Sequence, residues 1–478
     1  MKSVKKNYIY NLSYQVVTLI TPLLTTPYLA RTLGADGIGK VSYAESIVSY
    51  FVLFATMGTF VYGQREVSYC QDDVYKRSLA FWSTKIFQAI TSSIALVGYV
   101  FLIEYFHLGK VSYVLAFEIL AVLFDVTWFF QGIEEFEKIV IRNFIIKLIN
   151  IIYIFIFIKD KNDVVWYAFG VAFFTFLSNT LLWPYMRKYV VFISLKKIHP
   201  FSNAREMISL FIPAIATQIY TVLDKTMIGL ISNSSFQNGY YEQAMKISKI
   251  VLTIVTALGT VILPRIGYYF NNKNETKAKE LMYNSYRFVF FLGMPLSFGL
   301  FSTAAFFVPW FFGDGYKPVI LLLEILAFII VPIGISNLTG TQYLTGTKRQ
   351  NVVTMSVFIG AIINLVFNII FIPRFASIGA AIASVLAETV IAIVQLYFVR
   401  KELNVMQIVT SSLNYLIASG VMAVALKIYR CNFPSETVGN TMVAVIIGGC
   451  VYFAVLFVCK DTFIKAGCDK VKQIIKRR

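Results

Sequence analysis

Apolar residues come in runs of about twenty along almost the whole chain, separated by short polar stretches. Runs of that length cross a bilayer as helices. Fourteen are predicted: 8–30, 41–63, 80–103, 111–131, 139–158, 164–185, 206–231, 240–264, 286–309, 317–337, 352–373, 378–399, 410–428 and 440–459. Several of them carry a polar stripe. In 240–264, Glu242, Lys246, Lys249, Thr253, Thr256 and Thr260 fall at alternating steps of four and three, which puts them on one helix face. In 206–231, Gln218, Thr221 and Lys225 repeat that spacing, with Asp224 beside them. The first run has its own stripe, Asn11, Gln15, Thr18 and Thr25. Pro22, Pro27, Pro213, Pro264, Pro295 and Pro332 sit inside runs, where proline kinks a helix and frees carbonyls. For any one of them, packing alone is the plainer reading.

Composition fixes the class. With 58% hydrophobic and 14% charged residues the chain is far more apolar than a soluble domain. If Met1 starts in the cytoplasm, the inner segments hold about three times as many Lys and Arg as the outer loops. Both termini are therefore expected in the cytoplasm. The +18 net charge fits a basic surface against anionic lipid head groups. It is spread over many short loops, which excludes nucleic acid as a partner. The start, Met1-Lys2-Ser3-Val4-Lys5-Lys6, leads into an apolar run too long for a signal peptide, so a retained first helix is expected. Cys70, Cys431, Cys450, Cys459 and Cys468 lack CxxC spacing, and His107 and His199 are the chain's two His residues. No metal site, disulfide or catalytic centre is expected.

A Lys near the bilayer centre costs about 2.5–3.5 kcal/mol, so Lys225, Lys246 and Lys249 are the leading substrate-binding candidates. Lys225 beside Asp224 has a plainer reading as a neutralised pair, and Lys246 has one with Glu242 a turn earlier. Lys249 has no carboxylate one turn away on its own helix. Gln218, Asp224 and Glu242 complete this candidate set. In the first half, Lys85 (with Gln88 and Ser92) and Lys147 (with Asn143 and Asn150) are further substrate candidates, with interhelix ties as the plainer reading. Glu45 and Asp125 read as balancing nearby cations or relaying protons. Arg31, Arg65 and Arg265 sit at span ends, where a structural or gating role outweighs direct contact, and Arg142 joins them.

The connection from Met186 to Met207 carries Arg187, Lys188, Lys196, Lys197 and Arg205 and reads as an amphipathic segment along the membrane surface. The expected organisation is a lobe 1–185, a linker 186–205, a lobe 206–400, two further helices in 401–460 and a basic tail 461–478. Gly39–Ile47 reads GKVSYAESI and Gly239–Ile247 reads GYYEQAMKI, with Gly, Ala and Ile matching at an offset of 200. That match predicts two related halves with a cargo site between them.

Motifs along most of the chain point further. They are Pro27-Tyr28-Leu29-Ala30-Arg31-Thr32-Leu33-Gly34 with Gly37-Ile38-Gly39; Tyr62-Gly63-Gln64-Arg65-Glu66-Val67; and Asp125-Val126-Thr127-Trp128-Phe129-Phe130-Gln131-Gly132 with Glu134. Later come Leu223-Asp224-Lys225-Thr226-Met227-Ile228-Gly229, Gly239-Tyr240-Tyr241-Glu242-Gln243-Ala244 and Leu263-Pro264-Arg265. Gln342-Tyr343-Leu344 and the pattern Asn364, Asn368, Pro373, Gly379-Ala380-Ala381 close the series. In this order the chain resembles the Wzx-type polysaccharide flippases, of the superfamily that also holds MATE drug exporters and the lipid II flippase.

The resemblance implies an all-α polytopic fold of two six-helix lobes in a V, plus two C-terminal helices. It implies a cargo of undecaprenyl-diphosphate-linked oligosaccharide, moved from the inner to the outer leaflet of the bacterial cytoplasmic membrane for capsule or O-antigen assembly. Membrane lipids and other polysaccharide assembly proteins are the further partners expected. No GxxxxGK[ST] loop is present, so ATP drive is not expected; sodium or proton antiport is the candidate coupling, and no cofactor is called for. The rivals are a multidrug exporter of organic cations, which would want an acidic chamber, and a flippase for lipid II or a teichoic-acid precursor. A membrane enzyme would want a sizeable catalytic loop, which the spacing of the runs does not leave.

Overall fold

The structure is a computed structural model. It describes residues 4–463 apart from 258, 273 and 462, with side chains from residue 18 onward except 19, 213, 216, 217, 219, 220, 260 and 261. The side chains of Asn11, Gln15, Pro213 and Thr260, together with Cys468 and most of the basic tail, lie outside the described residues.

Two compact units divide the chain, 1–239 and 240–478. The first unit holds α1 (Val4–Thr56), α2 (Thr59–Tyr69), α3 (Val74–Tyr105), α4 (Lys110–Phe124), α5 (Thr127–Gly132), α6 (Phe136–Phe157), α7 (Val164–Thr180), α8 (Trp183–Met186) and α9 (Ala204–Ser232). α10 (Ser235–Thr256) begins at its end. The second unit continues with α11 (Gly259–Asn271), α12 (Glu275–Phe312), α13 (Pro318–Leu326), α14 (Ile330–Ser336), a π-helical stretch Asn337–Leu344, α15 (Gln350–Phe375), α16 (Ser377–Val399), α17 (Val405–Asn432) and α18 (Val438–Val458).

Among the described residues, 11 helices are long and apolar enough to cross a membrane. Many carry large exposed apolar side chains, such as Val97, Phe101, Ile446 and Phe457, a surface that suits acyl chains rather than water. The all-α multi-pass class expected from the pattern is the one observed. The difference from fourteen has physical causes. The run 8–30 and most of 41–63 join in α1, which breaks at Gly34 with φ 70° and ψ 173°, a conformation open to glycine, and the rest of the second run lies in α2 beyond Met57 and Gly58. The run 240–264 carries a charged stripe, which lowers its apolar content, and it is interrupted between α10 and α11; several residues of the run 206–231 lie outside the described side chains.

Packing explains where the first unit places its motifs. Trp128, Phe129 and Phe130 are fully buried in a cluster with Phe81 and Leu182, and Trp183 packs against it. Gly63 faces that cluster: a Cβ built there lies 2.5 Å from Trp128 Cε3. One at Gly132 meets the Gln64 carbonyl at 2.8 Å. The motifs at 62–67 and 125–132 are thus two sides of one packed joint.

α9 packs on α1 and α2 within the first unit. Thr226 donates to Ser46 at 2.9 Å and lies 3.2 Å from the Tyr50 hydroxyl. The matched glycines meet as well. A side chain at Gly39 would run into the Ser235 carbonyl, and one at Gly239 into the Ala35 carbonyl. Ser235 donates to Asp36, whose other oxygen accepts from Lys40 at 2.6 Å.

Candidate functional site

The second unit sets the α10 stripe on one face of its helix. Tyr241, Gln243, Ala244, Ile247 and Ser248 are buried on the other side, with Tyr241 hydroxyl 3.0 Å from Ser384 Oγ on α16. Lys249 and Thr253 are exposed, and Thr253 donates to the Lys249 carbonyl at 2.9 Å. Lys246 Nζ lies 3.4 Å from Glu242 Oε1, one turn back on the same helix, and Glu242 is buried. The pair occupies one end of the stripe, and Lys249 carries its ammonium at the other. Arg265 lies exposed on α11.

In the first unit, Asp224 is buried on α9 while Lys225 and Gln218 are half-buried. The same helix surface meets α1 through Thr226, Ser46 and Tyr50. Glu45 is half-buried on α1, and Arg31 is exposed near the Gly34 break.

Lys85 has the geometry of an interhelix tie. It is 5% exposed, donates to Gln88 Oε1 at 2.9 Å and to the Asp125 carbonyl at 2.8 Å, and lies 5.5 Å from the Trp183 ring. The Asp125 carboxylate does other work: it accepts from the Thr127 amide at 2.8 Å at the start of α5. Lys147 is half-buried on α6. Arg142 donates twice to Asn143 Oδ1, at 3.0 and 2.6 Å, and reaches Thr127 Oγ1 at 3.5 Å.

Arg65 ties α2 to α9. It donates to Glu206 Oε1 at 2.6 Å and to Glu66 Oε1 at 3.2 Å, and its guanidinium lies 5.5 Å from the Tyr62 ring. Beside it Asn203 donates to the Tyr62 hydroxyl. Glu206 and Asn203 escape a reading based on stripes, because they sit among loop-like polar residues at the start of a helix. An acidic residue in the first turn of α9, where it also suits the helix dipole, was the available signal.

A second tie is absent from the sequence reading altogether. Arg349 makes a bidentate pair with Glu402, at 2.6 and 2.7 Å, and Tyr343 donates to the same carboxylate at 2.8 Å. It joins the turn before α15 to the turn after α16. Burial alone would raise the Glu402 carboxyl; the Arg349 and Tyr343 hydrogen bonds outweigh it and hold the group below its ordinary value.

Chemically, an exposed ammonium and hydroxyls on one helix face can bind a phosphate or a sugar. Comparisons with known proteins agree in class. A family model described as polysaccharide biosynthesis protein matches residues 4–270, and the MatE model matches 210–370. The "Putative O-antigen transporter" of Escherichia coli (strain K12) is 23% identical over 409 residues, covering 83% of this chain and 97% of that one. The "Probable low-salt glycan biosynthesis flippase Agl15" of Haloferax volcanii is 24% identical over 251 residues, 51% of this chain and 52% of its own length. The structure of the lipid II flippase MurJ in an inward closed conformation superposes with a TM-score of 0.71 at 15% identity, covering 96% of this chain and 99% of that one. Matched over more than half its length, this chain belongs to the polysaccharide biosynthesis protein family.

Proposed function

We propose that the chain is a flippase for a lipid-linked oligosaccharide. Its cargo in this reading is a capsule or O-antigen repeat on undecaprenyl diphosphate, passed from the inner to the outer leaflet of the bacterial cytoplasmic membrane, with both chain termini on the cytoplasmic side. The observation that carries the reading is the exposed Lys249–Thr253 end of the α10 stripe, in a chain of a polysaccharide family. A diphosphate 4 Å from an ammonium gains about 4 kcal/mol per charge pair at an effective dielectric near 20. Lys offers that attraction as a mobile point charge, which suits a head group that must also leave. Thr253 and Thr256 supply hydroxyls for sugar. No bond of the cargo is made or broken, so the activity is transport and not catalysis.

Alternating access supplies the cycle, with the contacts of Arg65 to Glu206 and of Gly39 to Gly239 as points that open and close. Sodium or proton entry is the proposed drive. A multidrug exporter on the same fold would need a carboxylate free of its lysine where Glu242 meets Lys246.

Deleting the gene should make an undecaprenyl-diphosphate-linked oligosaccharide accumulate in the inner leaflet, and wild-type chain should clear it. Lys249→Ala should leave the chain in the membrane, seen by immunoblot, while surface polysaccharide is lost. Undiminished surface polysaccharide removes Lys249 from the site; no accumulated lipid on deletion overturns the cargo.

A further inference from the structure

Where α6 begins and α8 ends, the first unit has a groove of about 450 Å³. Its walls are of two kinds. Ile141, Ile145 and Leu181 line one side and are exposed on membrane-length helices, where acyl chains are the natural contact. The other side carries Lys138, Arg142 and Lys188 against Glu135 and Glu137, a net charge of one positive. Lys138 is held firmly: its ammonium donates to the Tyr189 hydroxyl at 2.5 Å, lies 3.8 Å from Glu135, and stands 4.2 Å from the Tyr189 ring and 5.2 Å from that of Tyr185. Lys188 is exposed and 5.9 Å from the Tyr189 ring.

Depth in the bilayer follows from the neighbouring chain. The stretch after α8 exposes Phe192 (88%) and Leu195 (72%) with Lys196 and Lys197 beside them, the composition of a segment lying in the head-group layer. The groove therefore has its cations at head-group level and its apolar wall beyond. A phosphodiester carries one negative charge, matching the net charge of the wall, and basic pockets between membrane helices bind anionic head groups.

We propose that this groove holds an anionic phospholipid of the phosphatidylglycerol type, with its phosphate against Lys138, Arg142 and Lys188 and an acyl chain along Ile141, Ile145 and Leu181. The lipid braces the junction of α6, α8 and the segment that follows, independently of what the protein transports.

The test is native mass spectrometry of the purified full chain, delipidated and then offered phosphatidylglycerol or phosphatidylcholine. Wild type should retain phosphatidylglycerol preferentially, and excess inorganic phosphate should not displace it, since the apolar wall needs the chain. The double variant Arg142→Gln/Lys188→Gln should weaken retention by about fivefold for each charge removed. Glu137→Gln, which removes a negative charge from the same wall, should strengthen it; that variant decides the matter should the double variant fail to fold. Equal retention of both lipids, displacement by phosphate alone, or a Glu137→Gln variant that binds no more tightly than wild type overturns the proposal.

Discussion

A methyl group added at Gly63 would sit 2.5 Å from a Trp128 ring carbon, and Trp128 is fully buried with no room to yield. Gly63→Ala should therefore destabilise the first unit by about 1–3 kcal/mol, the usual cost of overpacking. Thermal unfolding in detergent reads this as a lowered Tm, and a Tm equal to wild type would refute the packing account. Both residues belong to motifs visible in the sequence, but the sequence does not say that they touch. Periodicity gives the face a residue occupies, not the partner across from it. Lys85 teaches the same lesson: its spacing with Gln88 marks a polar patch, and Gln88 is indeed a partner. Its other partner is the backbone carbonyl of Asp125, which no inventory of side chains reveals. The α10 stripe was legible because it needs only one helix to be seen.

At the level of elements, the link of α2 to α9 includes, beside the Tyr62 and Met207 packing, one charged contact, Arg65 to Glu206. Both side chains are about one-third to one-half exposed, so the pair contributes only about 0–1 kcal/mol to stability. Its importance is geometric. Arg65→Glu and Glu206→Arg should each reduce surface polysaccharide with little change in Tm, and the two together should restore it. A double variant as defective as either single one would show that the ion pair is not the operative contact. Helix breaks were the least legible part of the elements. The run 317–337 resolves into α13, a 3₁₀ turn, α14 and the π-helical stretch Asn337–Leu344. Pro332 marks the neighbourhood in sequence. The widening itself depends on packing, as where Thr339 meets the Tyr286 hydroxyl at 2.6 Å.

Across the whole molecule, the membrane class and most span positions followed from runs of apolar residues, because crossing a bilayer demands length and composition before anything else. Tertiary ties between turns did not, since Arg349 and Glu402 are 53 positions apart with no pattern joining them. That tie gives the second unit a dependence on acidity. With its carboxyl held below the ordinary value, Glu402 stabilises the fold above the usual carboxylate range near 4.3. The contribution is lost as pH falls through the lowered value. Glu402→Gln should therefore flatten the acid limb of Tm against pH and leave its shape near neutrality unchanged; an acid limb as steep as wild type would remove Glu402 from that role. The meeting of Gly39 with Gly239 has a consequence for hybrid proteins. Each glycine is bare because the other's stretch of backbone occupies the space, so the two stretches must come from the same parent. A chimaera of two relatives joined in the tempting linker at 186–205 would separate them, and should recover only when 235–239 travels with the first 185 residues.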